Sequence, residues 1–230
     1  MWNTNIFLTE LFGTLVLLFG VMGTTYATKL KSFKWTGFTK HLFVAVGVGM
    51  SLAIAVFVGE IEGGNGWVNP AVAVMAAIGK DNYSNLLPAL TGEFLGGIVG
   101  MLIPLVLIKI TSDVTFKEDE VEGFTIKKLV AGEFLGSILF LAGVAVAVFG
   151  GSTFKANSGF IVGMAVMIAI AVFGSGNVLL LNPAAGLAMT LAVLIDNKGK
   201  GLKMFASLSI STLANLTIAA TIGGIMFAFT

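Results

Sequence analysis

Trp67-Val68-Asn69-Pro70-Ala71-Val72-Ala73-Val74 decides how this chain is read, because Leu181-Asn182-Pro183-Ala184-Ala185-Gly186-Leu187 answers it in the other half. Asn followed by Pro is a helix-start signal. The Asn side chain accepts from the first free N–H groups, and Pro at the first helical position brings a pre-set φ and needs no N–H there. The apolar run behind each is short. Pro70 to Ile78 rises roughly 13 Å and Pro183 to Ile195 roughly 20 Å, at ~1.5 Å per residue. A hydrocarbon core is about 30 Å thick, so neither run crosses it alone. Two short apolar helices, each opening on Asn-Pro-Ala, read as re-entrant half-helices whose N-termini are brought together.

The rest of the composition agrees with a lipid setting. Of 230 residues 57% are hydrophobic and only 11% charged, with a mean hydropathy of +0.99. Soluble domains carry about 25% charged residues, so the chain reads as an all-α, multi-pass membrane protein whose first partner is the lipid bilayer. Thirteen basic residues, every one of them Lys, face twelve acidic ones; so even a balance points to no nucleic-acid partner. The absence of Cys removes disulfides, thiolate nucleophiles and sulfur-ligated metals. One His, at position 41, makes no metal site, and it reads as an interface residue. No cofactor, metal or nucleophile–base pair is implied, so an enzyme is not expected. With no basic run before it and Glu10 inside it, the first apolar stretch reads as a retained span, not a cleaved signal.

In chain order, the first span runs from about Ile6 to Tyr26, and a loop with Lys29, Lys31, Lys34 and Lys40 follows it. The second span, near Leu42 to Val58, carries Gly47-x-Gly49-x-Ser51, small residues that let helices pack closely in lipid. Leu86 to Ile110 is a third span, with Glu93 inside it and Pro104 expected to kink it. Lys117-Glu118-Asp119-Glu120 and Glu122 mark a solvated connector. The pattern then restarts, since Glu133-Phe134-Leu135-Gly136-Ser137 echoes Glu10-Leu11-Phe12-Gly13-Thr14. Spans to Phe149, from Gly159 to Phe173 and from Met204 to Phe229 complete the copy around the second half-helix. The reading is one channel domain over residues 1–230: repeats of about 6–110 and 127–229 joined by 111–126, six transmembrane helices and two half-helices. Three spans per half is an odd number, so the second half enters from the opposite face. That makes an inverted repeat with its site near the midplane. Unpaired backbone at that depth is tolerated only where it is buried in protein or lines a wet cavity.

Two Asn-Pro-Ala sequences at equivalent positions, with a paired Glu-x-x-Gly-Thr/Ser, resemble the aquaporin and glycerol-facilitator family over nearly the whole chain. The resemblance implies an aquaporin-like homotetramer in the cell membrane, with one pore per subunit for small neutral solutes and water. It implies that Asn69-Pro70-Ala71 and Asn182-Pro183-Ala184 set the pore midpoint, the two Asn amides donating to the permeant. Glu10 and Glu133 become buried structural acids that hold the loop backbone. The departures matter as well. Gly64-Asn65-Gly66-Trp67 replaces the family's usual approach to the first Asn-Pro-Ala, with Glu60 and Glu62 upstream. Trp67 is a candidate for the pore mouth. Where the family places an Arg in its selectivity filter, Ala185 stands here. Leu179 falls at another filter position, and the remaining two are Val46 or Gly49 on the second span and Ile170 or Gly174 on the fifth.

The implied function is a passive channel for glycerol-like polyols and water. Two rivals belong to other classes. A structural or junctional membrane protein with a closed pore would use Trp67 and the bulky run Leu179 to Leu181 as a plug. A coupled secondary transporter would share the broken helices in inverted repeats; against it, the only intramembrane charges are the paired Glu10 and Glu133 and, beside them, Glu93. The resemblance puts both termini in the cytoplasm. The lysines oppose it, since eleven of them fall on the other side and only Lys80 and Lys155 on the side of the termini.

Overall fold

The computed structural model describes residues 2–30, 34–112, 125–174, 179–196 and 202–229. The chain runs as α1 (Thr4–Ala27), α2 (Gly37–Gly59), α3 (Pro70–Gly79), α4 (Leu86–Thr111), α5 (Ile126–Phe149), α6 (Ser152–Ala156), α7 (Ser158–Phe173), α8 (Pro183–Asp196) and α9 (Leu202–Ala228). The helices start where short polar side chains satisfy their first N–H groups. Asn3 accepts from the Ile6 N–H at the head of α1, Thr36 and Thr39 form a reciprocal capping box on α2, and Thr125 caps α5. Among the described residues, five helices are long and apolar enough to span a membrane: α1, α2, α4, α5 and, over Phe205–Ala228, α9. The sixth span, α7, has only 16 residues, about 24 Å of helix at 1.5 Å per residue. The helix α4 continues through Pro104 as one element. The charged connector at 117–122 lies outside the described residues.

The helix pairings show the repeat directly. α1 packs on α2 and α4 as α5 packs on α7 and α9, while α3 lies against α9 as α8 lies against α4. Exchanging the halves maps this set of contacts onto itself. The central pair, α2 against α7, is its own counterpart. Glycines permit the closest crossings. A Cβ on Gly49 would come within 2.8 Å of the Gly163 carbonyl oxygen, and a Cβ on Gly163 within 2.5 Å of that of Gly49. Gly92, Gly96 and Gly100 lie one turn apart on α4, and a Cβ on any of them would run into α1 backbone. At the far end an ion pair joins Lys109 of α4 to Asp196 of α8, whose side chain is 1% exposed.

This packing places both second-span candidates outside the inward stripe of that helix. Val46 belongs to the exposed stripe Phe43, Val46, Met50 and Ile54, which turns away from the molecule. Gly49 is spent on the α7 crossing against Gly163 and Met167. The inward stripe of α2, at helical spacing, is instead His41, Ala45, Val48, Leu52 and Val56. A count from the Gly-x-Gly pattern could not tell the two faces apart, because α2 is apolar all round. Two small elements also went unanticipated: the helix α6, and a 3-10 turn at Ile61–Gly63 in which Glu62 takes a φ of 54°.

Candidate functional site: the meeting of the two half-helices

Asn69 and Asn182 sit at the N-termini of α3 and α8, 1% and 6% exposed. Each side-chain oxygen caps its own helix. Asn69 Oδ1 accepts from the Ala71 N–H at 2.9 Å; Asn182 Oδ1 accepts from Ala184 at 2.9 Å and Ala185 at 3.2 Å. The amide nitrogens cross over. Asn69 Nδ2 donates to the Leu181 carbonyl at 2.9 Å, and Asn182 Nδ2 donates to the Val68 carbonyl at 3.0 Å. An amide has two N–H groups, so one on each Asn remains outside these bonds. Pro70 and Pro183 occupy the first helical positions, where no N–H is missed.

The carbonyls reach across because the residue before each Asn is left-handed. Val68 has a φ of 46° and Leu181 a φ of 48°. Non-glycine residues adopt that region at a cost, and a β-branched Val more so. Buried glutamates hold the strain. Glu10 accepts from the Trp67 N–H at 3.0 Å and the Val68 N–H at 2.7 Å. Glu133 accepts from Leu180 at 2.7 Å and Leu181 at 3.3 Å, and from the Ser211 hydroxyl at 2.9 Å. All three acids, Glu10, Glu93 and Glu133, are fully buried.

The repeated Glu-x-x-Gly motif thereby receives a physical reading. The Glu grips the loop N–H groups, and the Gly one turn later leaves room for the loop side chain. A Cβ on Gly13 would fall 2.5 Å from Val68 Cγ1, and one on Gly136 would fall 3.1 Å from Leu181 Cδ2. The next residues, Thr14 and Ser137, are both buried with side-chain oxygens that make no hydrogen bond among the described residues.

Glu93 is the third clamp: its Oε1 accepts from the Asn69 N–H at 3.0 Å. The sequence showed no repeat mate for it. The burial pattern supplies one, because Ala89, Glu93 and Met101 on α4 have the same spacing as Ser211, Asn215 and Gly223 on α9. Asn215 is fully buried and donates to the Ser211 carbonyl at 2.8 Å, while its own Oδ1 makes no hydrogen bond among the described residues. Sequence reasoning passed over Ser207, Ser211 and Asn215. Their spacing of four in an apolar span was the available signal.

The remaining candidates are placed as follows. Ala185 is 7% exposed in the first turn of α8. Leu179 packs toward α5, where its Cδ2 would lie 2.9 Å from a Cβ on Gly132. Ile170 is buried in α7, and Gly174 ends that helix beside His41. His41 Nε2 lies 3.1 Å from the Ala171 carbonyl, which makes it the link between α2 and the end of α7. Trp67 is buried and lines a cavity of about 90 Å³ with Val56, Val72, Val144, Val162 and the charged Glu60, Lys80 and Lys155. Burial pushes the Glu60 carboxyl above the usual range, against the Ser158 hydroxyl and Lys155, which pull it down.

Two short helices thus meet N-terminus to N-terminus inside an inverted repeat of membrane-length helices. Residues 2–227 match the model of the Major intrinsic protein family, and the chain belongs to that family. Among curated relatives, it is 30% identical over 152 residues to glycerol uptake facilitator protein 4 of Lactiplantibacillus plantarum, covering 60% of each chain. It is 33% identical over 104 residues to glycerol uptake facilitator protein 2 of the same organism, covering 44% of this chain and 43% of that one. A D/L-lactic acid transporter, also from that organism, is 33% identical over 122 residues, covering 52% and 48%. The chain thus spans about half the length of the curated relatives it matches. The X-ray structure of the aquaglyceroporin from Plasmodium falciparum superposes with a TM-score of 0.68 at 17% identity, covering 98% of this chain and 94% of that one. That likeness is one of fold.

Proposed function

We propose that this chain is a passive channel for small uncharged solutes, glycerol-sized polyols and water, in the cell membrane. The crossed pair of Asn amides carries the reading. It fixes two helix N-termini at one point and leaves one N–H on each amide for the oxygen of a permeating solute. Each N-terminus presents roughly half a positive charge, which together with desolvation opposes cations. The relatives named for glycerol uptake support the same solute class.

In this reading residues 1–230 form one channel domain, with repeats 6–110 and 127–229 and a connector at 111–126, and four copies assemble with a pore in each. Ala185 takes the filter place with neither the charge nor the fork of donors of an Arg. Leu179, Ile170 and Gly174 are its proposed companions in the filter, together with the inward stripe of α2.

Flux into vesicles carrying the purified protein tests the proposal. Glycerol and water should equilibrate faster than in empty vesicles, whether or not an ion gradient is imposed. No flux of any solute would favour the closed-pore structural protein, and dependence on the gradient would favour a coupled transporter. We place the termini in the cytoplasm, with the family resemblance and against the lysine distribution. Labelling of the N-terminus from outside intact cells would reverse that placement.

A further inference from the structure

One face of α9 looks out between α4 and α8 as a continuous stripe. Phe205, Leu208, Ser209, Thr212, Leu213 and Leu216 follow the three- and four-residue steps that set side chains on one side of a helix. With Phe94 of α4 and with Pro183 and Leu187 of α8 they line an open groove of about 470 Å³, inside the ~300–1,000 Å³ range of sites that hold ligand-sized molecules. The lining is almost wholly hydrocarbon. Of its two hydroxyls, that of Ser209 already donates to the Phe205 carbonyl at 3.0 Å. From Phe205 to Leu216 the stripe rises roughly 17 Å, at ~1.5 Å per residue. Both ends have a definite depth. Phe205 opens the apolar, membrane-length part of α9, so that end lies at the bilayer edge. Pro183 starts α8 at the junction of the half-helices, the level at which an inverted repeat has its midplane. The groove is therefore about as long as one leaflet of a hydrocarbon core about 30 Å thick.

The chain is an integral membrane protein, so an outward apolar groove at this depth meets hydrocarbon. Phe205 and Leu213 on its edge are 59% and 64% exposed, and the same apolar exposure continues along α4 at Leu95, Val99 and Ile103. We propose that the groove seats one acyl chain of a membrane phospholipid, in the leaflet on the side of the α8–α9 connection, with the chain lying along α9 and reaching Pro183. Length, an uncharged lining and an opening toward lipid all favour a chain over a polar solute. The packing of α8 shows why protein leaves this gap. On one side α8 closes on α9, since a Cβ on Gly186 would come within 2.8 Å of Leu208 Cδ1. On the other it closes on α4, since a Cβ on Gly97 would come within 3.3 Å of the Ala184 carbonyl oxygen. Pro183 and Leu187 stand one turn apart between these two contacts. The acyl chain takes the place of a third helix against them, and so backs the half-helix whose first turn carries Asn182 and Ala185.

Because the chain holds no Cys, Leu213→Cys introduces a single thiol at the groove edge, and Met164→Cys introduces one on the exposed face of α7, where Met164 is 56% exposed. Each purified full-length variant, labelled with bimane in detergent, is titrated with phosphatidylcholine carrying brominated chains, which quench the label on contact. Quenching at position 213 should saturate at a phospholipid-to-detergent ratio roughly tenfold lower than at position 164. Filling the groove with Ser209→Phe/Thr212→Phe should raise the midpoint at position 213 to that at position 164. Ser209→Phe alone makes the same comparison if the pair does not assemble. Glycerophosphocholine, the same headgroup without chains, should leave the quenching unchanged even in excess. Equal midpoints at the two positions, a midpoint untouched by the Phe substitutions, or displacement by glycerophosphocholine would each overturn the seat. A disulfide between two copies of unlabelled Leu213→Cys would overturn it in favour of a second copy of this chain. Flux enters none of these readouts, so the result stands apart from the channel reading.

Discussion

Asn69 and Asn182 each bind the other's approach loop: the amide of one donates to the Leu181 carbonyl at 2.9 Å, that of the other to the Val68 carbonyl at 3.0 Å. The midpoint is thus one unit contributed equally by both halves. Neither half-helix can shift along the membrane normal without breaking the bond that positions the other.

Replacing both asparagines by Ala should therefore damage more than the permeant contacts. Each change loses a helix cap, typically worth about 1 kcal/mol, and leaves a buried carbonyl unpaired at about 1–3 kcal/mol. We expect lower thermal stability in detergent and lower glycerol flux in vesicles from each single variant. A less than additive loss in the double variant would show that the two bonds act together. Unchanged flux in assembled protein would remove the pair from conduction.

The two loop clamps should respond differently to neutralisation. Glu10→Gln turns an N–H donor toward either the Trp67 or the Val68 N–H, both short bonds at 3.0 and 2.7 Å. At Glu133→Gln the amide can turn instead toward the Ser211 hydroxyl and give up only the 3.3 Å bond to Leu181. Thermal melts should show Glu10→Gln as the more harmful, by about 1–2 kcal/mol if one buried donor goes unsatisfied. The reverse order would contradict this account of the clamps.

Glu60 gives the stability a pH dependence with a definite sign. Its folded-state affinity for a proton is raised above the ordinary 4.5, with burial as the leading cause. The stabilising share of the protonated form is complete below 4.5 and lost as pH rises through the higher folded-state value. The melting temperature of the wild type, compared with Glu60→Gln, should fall as pH rises from 4.5 through the raised folded-state value. A constant difference between the two proteins at all pH values would refute the assignment.

Ala185→Arg restores a fixed cation and a fork of donors at the head of α8. Glycerol flux should fall more than water flux, changing their ratio by about tenfold, which is about 1.4 kcal/mol of added barrier. A ratio left unchanged would place Ala185 away from the constriction.

The architecture was legible in the sequence because its signals are local and repeated. Asn-Pro marks a helix start wherever it stands, and apolar length against bilayer thickness separates spans from half-helices. Two copies of Glu-x-x-Gly give the repeat. The same local logic placed Asn69, Asn182, Glu10 and Glu133 on elements that do converge. What it could not decide was which way a side chain points from a helix that is apolar on every face. Val46 and Gly49 are indistinguishable from inward residues until α1 and α7 take their sides of α2. The mate of Glu93 was hidden for a related reason. Asn215 differs from it in residue type, and only burial on packed helices shows that the two occupy the same place. The left-handed backbone at Val68 and Leu181 also belongs to the tertiary structure alone. Neither residue favours that conformation, and only glutamates reaching in from α1 and α5, with an Asn waiting across the midplane, make it the lower-energy arrangement.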